Sequence, residues 1–276
     1  MNLRRTHFRW VIGISTAVLL LAGVSVIALQ AVRLRQFGKL ASSHGGHVEW
    51  APHDEIPGQF RSLVPVPFLQ SPGAIWMEQA TRDELRRLSQ ALRRGYGLTD
   101  HLDTLYFQDC SFTGEGFATL PDLPKLKVLS LEETRVDAGL LRELDRFPSL
   151  TWLSLSGCPV DSVHLAALPV LPTLEVLFLN GTLVDAAGLK QLARQPKLSD
   201  LVLSDTSAGN EEVAALVGCR NLRELQLDST FIDDGAVEYL LQFPHLKYLS
   251  VSNTGISDEG LARLAVKFPD LEVWDD

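Results

Sequence analysis

Two carboxylate pairs come nearest to catalytic chemistry in type and spacing: the adjacent Glu132 and Glu133, and Asp200 with Asp205. General acid–base work needs a recess that desolvates one carboxyl and raises its pKa. Both pairs fall instead on segments patterned as flat strand. Ser154, Ser156, Ser204 and Ser250 are hydroxyl nucleophiles in type, but no histidine shares their repeat positions. His101 and His245 fall in loops and His164 on a short helix. His44, His47 and His53 are close enough in sequence to suggest a metal. Glycines separate the first two and no regular element fixes the set, so a solvated loop is expected. The three cysteines form no CxxC pair, which leaves no zinc site of the usual spacing. They are expected as buried free thiols, since unpaired Cys behaves as a small hydrophobe. No GxGxxG follows a strand and no P-loop is present. The expectation is a chain with no catalytic residues, no metal and no cofactor.

The elements that would position any site are set by an internal repeat. The pattern L-x-x-L-x-L begins at Leu102, Leu126, Leu150, Leu174, Leu198, Leu222 and Leu246, always at an interval of 24 residues. A truncated eighth start at Leu271 follows after 25, which implies one inserted residue. Within a unit the fourth and sixth positions, such as Leu129 and Leu131, alternate as an inward strand face does. Position nine holds Cys110, Thr134, Cys158, Thr182, Thr206, Thr230 and Thr254. Position twelve holds Thr113, Asp137, Asp161, Asp185, Gly209, Asp233 and Ser257, mostly strong helix N-caps ahead of an apolar stripe. Proline closes the helix in most units. The fifth unit departs, with Ala208, Gly209 and no proline after Cys219, and its helix is expected to be the least stable.

This pattern resembles the leucine-rich-repeat family, whose period is 20–29 residues. The resemblance implies an α/β solenoid: a leucine-rich-repeat horseshoe of about seven repeats, parallel strands on the concave face and short helices outside. Threonine at position nine, where the family usually has Asn, resembles a Thr-type bacterial variant, as in bacterial single-pass membrane-anchored leucine-rich-repeat proteins. Such a resemblance implies protein binding without naming a partner.

Strand residues flanking the core leucines then face outward. In the central coils these are Val128, Trp152, Val176, Phe178 and Val202, an expected apolar patch extended by Tyr106 and Tyr248. Exposed aromatics are what interface hot spots use. Acids surround them: Asp109, Glu132 and Glu133 on one side, Asp200, Asp205, Glu224 and Asp228 on the other. An apolar centre with a charged rim matches interface anatomy, and an acidic rim would steer a partner with a basic surface. The leading expectation is a non-catalytic interaction protein binding a protein partner on this face, with no small-molecule substrate. The alternatives are the recognition module of a larger signalling or ligase system, or a hydrolase using the concave carboxylates.

The remainder of the chain divides by composition. Residues 1–97 carry 12 Lys/Arg against 6 Asp/Glu, whereas 98–276 carry 13 against 28. That acidity argues against nucleic acid, whose phosphates need cations. A basic tail, 1–9, precedes an uncharged apolar run at 10–32, long enough for a transmembrane helix, with Trp10 as an interfacial anchor. The competing reading is a cleaved signal peptide ending near Val26-Ile27-Ala28. Arg4, Arg5 and Arg9 before the run balance Arg33, Arg35 and Lys39 after it; the N-terminal amine tilts the repeats to the outside. Residues 33–77 hold five prolines and four glycines between Ala41 and Gly73 and are expected as a juxtamembrane linker, with a short strand at His47–Trp50. Residues 78–97 are expected as a capping helix, opened by a Thr81/Glu84 capping box and lined by Leu85, Leu88 and Leu92.

Overall fold

A strand that turns every second leucine inward can bury that face only against identical neighbours, so the repeats stack. The computed structural model describes residues 47–52, 70–94 and 98–275, and these form one ten-stranded sheet. Its strands are β1 (His47–Pro52), β2 (Gln70–Glu78), β3 (Thr104–Gln108), β4 (Val128–Ser130), β5 (Trp152–Ser154), β6 (Val176–Phe178), β7 (Asp200–Val202), β8 (Glu224–Gln226), β9 (Tyr248–Ser250) and β10 (Glu272–Trp274). They are joined in sequence order. β2 to β10 run parallel, and β1 is antiparallel to β2. Leu105, Leu129, Leu153, Leu177, Leu201, Leu225 and Leu249 pair in one unbroken column and are fully buried.

Short helices return each strand to the next: α1 (Arg82–Arg94), α2 (Gly114–Phe117), α3 (Ala138–Arg142), α4 (Ser162–Ala167), α5 (Ala186–Leu189), α6 (Asn210–Leu216), α7 (Val237–Leu240) and α8 (Asp258–Lys267). Each residue at position twelve directly precedes a helix, but Thr113 and Gly209 make no side-chain cap bond. The side chains of Asp137, Asp161, Asp185, Asp233 and Ser257 each accept a backbone N–H of the first turn. Asp137 also accepts the N–H of Gly114 in the preceding coil at 3.1 Å, so one carboxylate serves two helix starts. At position nine Thr182, Thr206, Thr230 and Thr254 donate their hydroxyls to the carbonyl three residues back, as Thr206 Oγ1 does to Leu203 at 2.6 Å, while Thr134 donates to Glu132 two residues back. The Cys158 thiol donates instead to Leu131 of the preceding coil at 2.8 Å. Cys110, Cys158 and Cys219 are all free and buried.

Three expectations are corrected. The stretch 33–77 is not linker throughout. Besides β1, whose first residues match the expected short strand, it contributes nearly all of β2, which pairs in parallel register with β3. The expected capping helix, observed as Arg82–Arg94, is therefore the helix of a further coil rather than a lid on the first. Its capping box is present: Thr81 N–H donates to Glu84 at 2.6 Å and Glu84 N–H to Thr81 Oγ1 at 3.4 Å. Leu85, Leu88 and Leu92 are buried, and the edge of the sheet is covered by β1. A 30-residue offset between Trp76 and Tyr106, against 24 elsewhere, conceals this extra coil from a strict periodic reading.

The residue expected as an insertion before Leu271 is not one. Tyr248 pairs with Glu272 and Leu249 with Val273, an offset of 24, because the strand begins one residue after Leu271 rather than two. Trp274 consequently turns outward beside Ser250. The fifth unit keeps a full helix: α6 has seven residues, more than α5 or α7. Glu212 replaces the missing cap by accepting the Gly209 N–H at 2.8 Å and the Ala186 N–H of the previous coil at 3.1 Å.

The apolar run 10–32 and the tail 1–9 lie outside the described residues. Among the described residues no helix is long and apolar enough to cross a membrane.

Candidate functional site on the strand face

Alternation brings two outward columns together. Position three is lined by Thr104, Val128, Trp152, Val176, Asp200, Glu224, Tyr248 and Glu272. Position five is lined by Trp76, Tyr106, Ser130, Ser154, Phe178, Val202, Gln226, Ser250 and Trp274. The large rings of the two columns meet both within a column and across from one column to the other. Trp152 and Phe178 lie with centroids 5.0 Å apart, Tyr106 meets Trp152 edge-on at 6.5 Å, and Trp76 stacks on Tyr106 at 5.0 Å and 7°. Four rings thus form one run across β2 to β6, all half-buried. Serines beneath make room for it: Ser130 and Ser154, at the same position as Tyr106 and Phe178, are buried.

Sequence reasoning missed Trp76 because Pro72 and Gly73 place it in an apparent linker. The signal was Ile75-Trp76-Met77, an inward-outward-inward triplet in which Ile75 and Met77 are buried. Tyr248 does not extend this run. It stacks on Trp274 at 6.3 Å, and Asp200, Val202, Glu224 and Gln226 intervene. Val202 is only 5% exposed and offers no surface, contrary to its expected place in the patch. Val128 and Val176 are half-buried between the rings.

The acids differ among themselves. Asp228 is held by three donors: Ser250 Oγ at 2.5 Å, Ser252 N–H at 2.8 Å and Ser204 Oγ at 3.2 Å. Glu132 accepts Ser154 Oγ at 3.1 Å, and Ser156 Oγ donates onward to Asn180 at 3.1 Å. Ser199 donates to Asp200, and the Gln226 amide donates to Glu224 at 2.6 Å. Position eight obeys another constraint. Gln79, Asp109, Glu133, Gly157, Gly181, Asp205, Ser229 and Asn253 all have positive φ, between 50° and 66°. There the chain leaves the strand, and from Gln79 to Ser229 each N–H bonds a carbonyl of the next coil, as Glu133 N–H does to Ser156 at 2.9 Å. Glu133 and Asp205 are exposed at this turn, so they stand on the lip of the face rather than within it.

The serines bond carboxylates, amides and one another, not imidazole. His164 Nδ1 lies 2.6 Å from Asp161 Oδ1 on the helical side, and this bond holds the Asp161 carboxyl below its ordinary pKa. His47 lies in β1, while His44 and His53 fall outside the described residues. Among the described residues no three His, Cys, Asp or Glu side chains gather as metal ligands would. Burial pushes the Cys110 thiol up to about 11 and those of Cys158 and Cys219 up to about 12, so all three are neutral thiols near pH 7. What the face presents is an aromatic strip flanked by hydrogen-bonded carboxylates.

A sequence-family profile described as "Leucine Rich repeat" matches residues 244–265, which run from the end of one coil through most of the next. Among solved structures, the crystal structure of the mouse RP105/MD-1 complex is similar at 24% sequence identity with a TM-score of 0.45. That match covers 68% of this chain and 31% of the other, so the chain spans about a third of that protein's length.

Proposed function

We propose that this leucine-rich-repeat chain is a non-catalytic, membrane-anchored interaction protein whose strand face binds a partner protein. One observation carries the reading: the run Trp76, Tyr106, Trp152 and Phe178 lies on the outward side of the sheet, where no core leucine needs it. Large rings that are half-exposed, mutually packed and rimmed by polar groups are the usual anchors of protein interfaces. The surrounding acids favour a partner with a basic surface and would speed its approach at low salt. Anchoring rests on the uncharged run 10–32, and an outward-facing repeat domain on the flanking charges.

Crosslinking the full-length chain in membranes and recovering it should capture a partner. Trp152→Ala with Phe178→Ala should weaken that partner's binding by roughly 30-fold or more, the loss of about 2 kcal/mol typical of hot spots. A partner held equally well by the folded double variant would move the interface off this face.

A further inference from the structure

A second surface lies on the opposite margin of the sheet, where each coil enters its strand. Two adjoining recesses open there. The first, of about 400 Å³, is lined by Glu175, Pro196, Lys197, Ser199, Asn221, Arg223 and His245. The second, of about 350 Å³, shares Arg223 and His245 and adds Lys247 and Lys267. Lys197, residue 221 and His245 occupy one repeat position in successive coils, and Ser199, Arg223 and Lys247 occupy another. With strands ~4.8 Å apart, four cationic or cationisable groups therefore cluster over roughly 10 Å. The clustering runs against the composition, since residues 98–276 carry 13 Lys/Arg against 28 Asp/Glu.

The ordinary reason for cations on this margin is to satisfy helix C-termini. Other residues do that. Arg93 donates to Thr119 and Leu120, Arg146 to Ala118 and Leu120, Arg194 to Leu168, and Lys267 to Leu241. Lys197, Arg223 and Lys247 serve no carbonyl of this kind and, among the described residues, form no ion pair. All three are exposed. Asn221 already donates to the backbone at Pro196 and Ser199 to Asp200, so they shape the wall. Glu175 in the first recess and Asp270 in the second are the carboxylates present, and a carboxylate beside cations suits a ligand with hydroxyl donors as well as negative charge.

We propose that this margin of the fifth to seventh coils is a binding site for a polyol carrying two or more phosphate groups. Arg223 takes one phosphate through its planar fork, Lys197 and Lys247 neutralise its neighbours, and Glu175 accepts a ligand hydroxyl. The site is separate from the aromatic face and stands whether or not that face binds a protein.

The test titrates the full-length chain in non-ionic detergent with inositol hexakisphosphate, following heat on binding. Flotation with phosphatidylcholine vesicles, with and without phosphatidylinositol phosphate, distinguishes a free ligand from a lipid headgroup. Saturable binding in either arm is expected. It should fall about tenfold or more in Lys197→Gln with Arg223→Gln, stay unchanged in Lys190→Gln on the helical side, and stay unchanged in the Trp152/Phe178 variant. Both substituted cations are exposed and make no side-chain bond that a fold needs, and a melt of the double variant verifies this. Binding in neither arm, or binding that the double variant leaves intact, overturns the proposal.

Discussion

Glu133 occupies a backbone conformation that its side chain does not favour. Gly157 and Gly181 hold the same turn at φ 66° and 63° without a Cβ, and Asp205 and Asn253 are of the types that tolerate it, but Glu133 does so at 55° with no such excuse. Left-handed geometry costs an ordinary residue ~1–2 kcal/mol, and glycine returns part of that as chain entropy. Glu133→Gly should therefore raise stability by about 0.5–1 kcal/mol in thermal unfolding. A lower melting temperature would mean that the carboxylate makes a stabilising contact at this lip. Asp228 and Glu224, which the sequence groups together as rim acids, should separate on substitution. Asp228→Ala strands three donors and should cost about 1–3 kcal/mol, whereas Glu224→Gln, half-exposed, should leave the melt unchanged. The buried thiols bear on alkaline stability. Their folded pKa values lie near 11 to 12, above the ordinary 9, so the unfolded chain loses these protons first as pH rises. The stability they contribute is fully present below pH ~9 and is lost as pH climbs through their folded values. Cys219→Ala should flatten that alkaline decline in a pH series of melts, and an unchanged slope would assign the decline to other groups.

At the scale of elements, strand β2 matters more than any composition-based reading allows. Pro72 and Gly73 disfavour a central strand in general, but Pro72 pairs toward β1 beside a register shift at Glu49/Trp50, where the ladder is already irregular. Beginning the chain at Thr81 would leave α1 in place while exposing the edge of β3 and the column that Ile75 and Met77 now cover. Apolar burial contributes roughly 25 cal/mol per Å². The truncated chain should melt well below the full-length protein, and an equal melt would show that α1 alone closes the first coil. Helix starts couple neighbouring coils in a similar way. Asp137→Ala removes a cap from α3 and an acceptor from the Gly114 N–H, so its cost should reach the upper part of the usual ~0.5–2 kcal/mol range for caps.

For the whole molecule, the apolar run 10–32 should keep the full-length chain in the pellet after carbonate washing, while a soluble form beginning near Leu29 would identify signal-peptide cleavage instead. Much of the architecture is legible without coordinates, because it is local or periodic. Leucines at a strict interval, alternation along each strand and a capping residue at position twelve each act within a few residues, and seven repetitions reinforce one register. These features determine the solenoid, the buried column and the outward identity of Trp152 and Phe178. Tertiary structure alone decided what depends on the neighbouring coil. It brought Trp76 onto the aromatic run across a 30-residue offset, and it kept β10 at an offset of 24 although the leucine pattern resumes one residue late at Leu271. It covered Val202 and enclosed Asp228 among hydroxyls. It also gathered Lys197, Arg223 and Lys247 from three coils onto one margin. A one-dimensional pattern records which way each side chain points; how much of it stays exposed, and what it touches, is settled by atoms one coil, or about 24 residues, away.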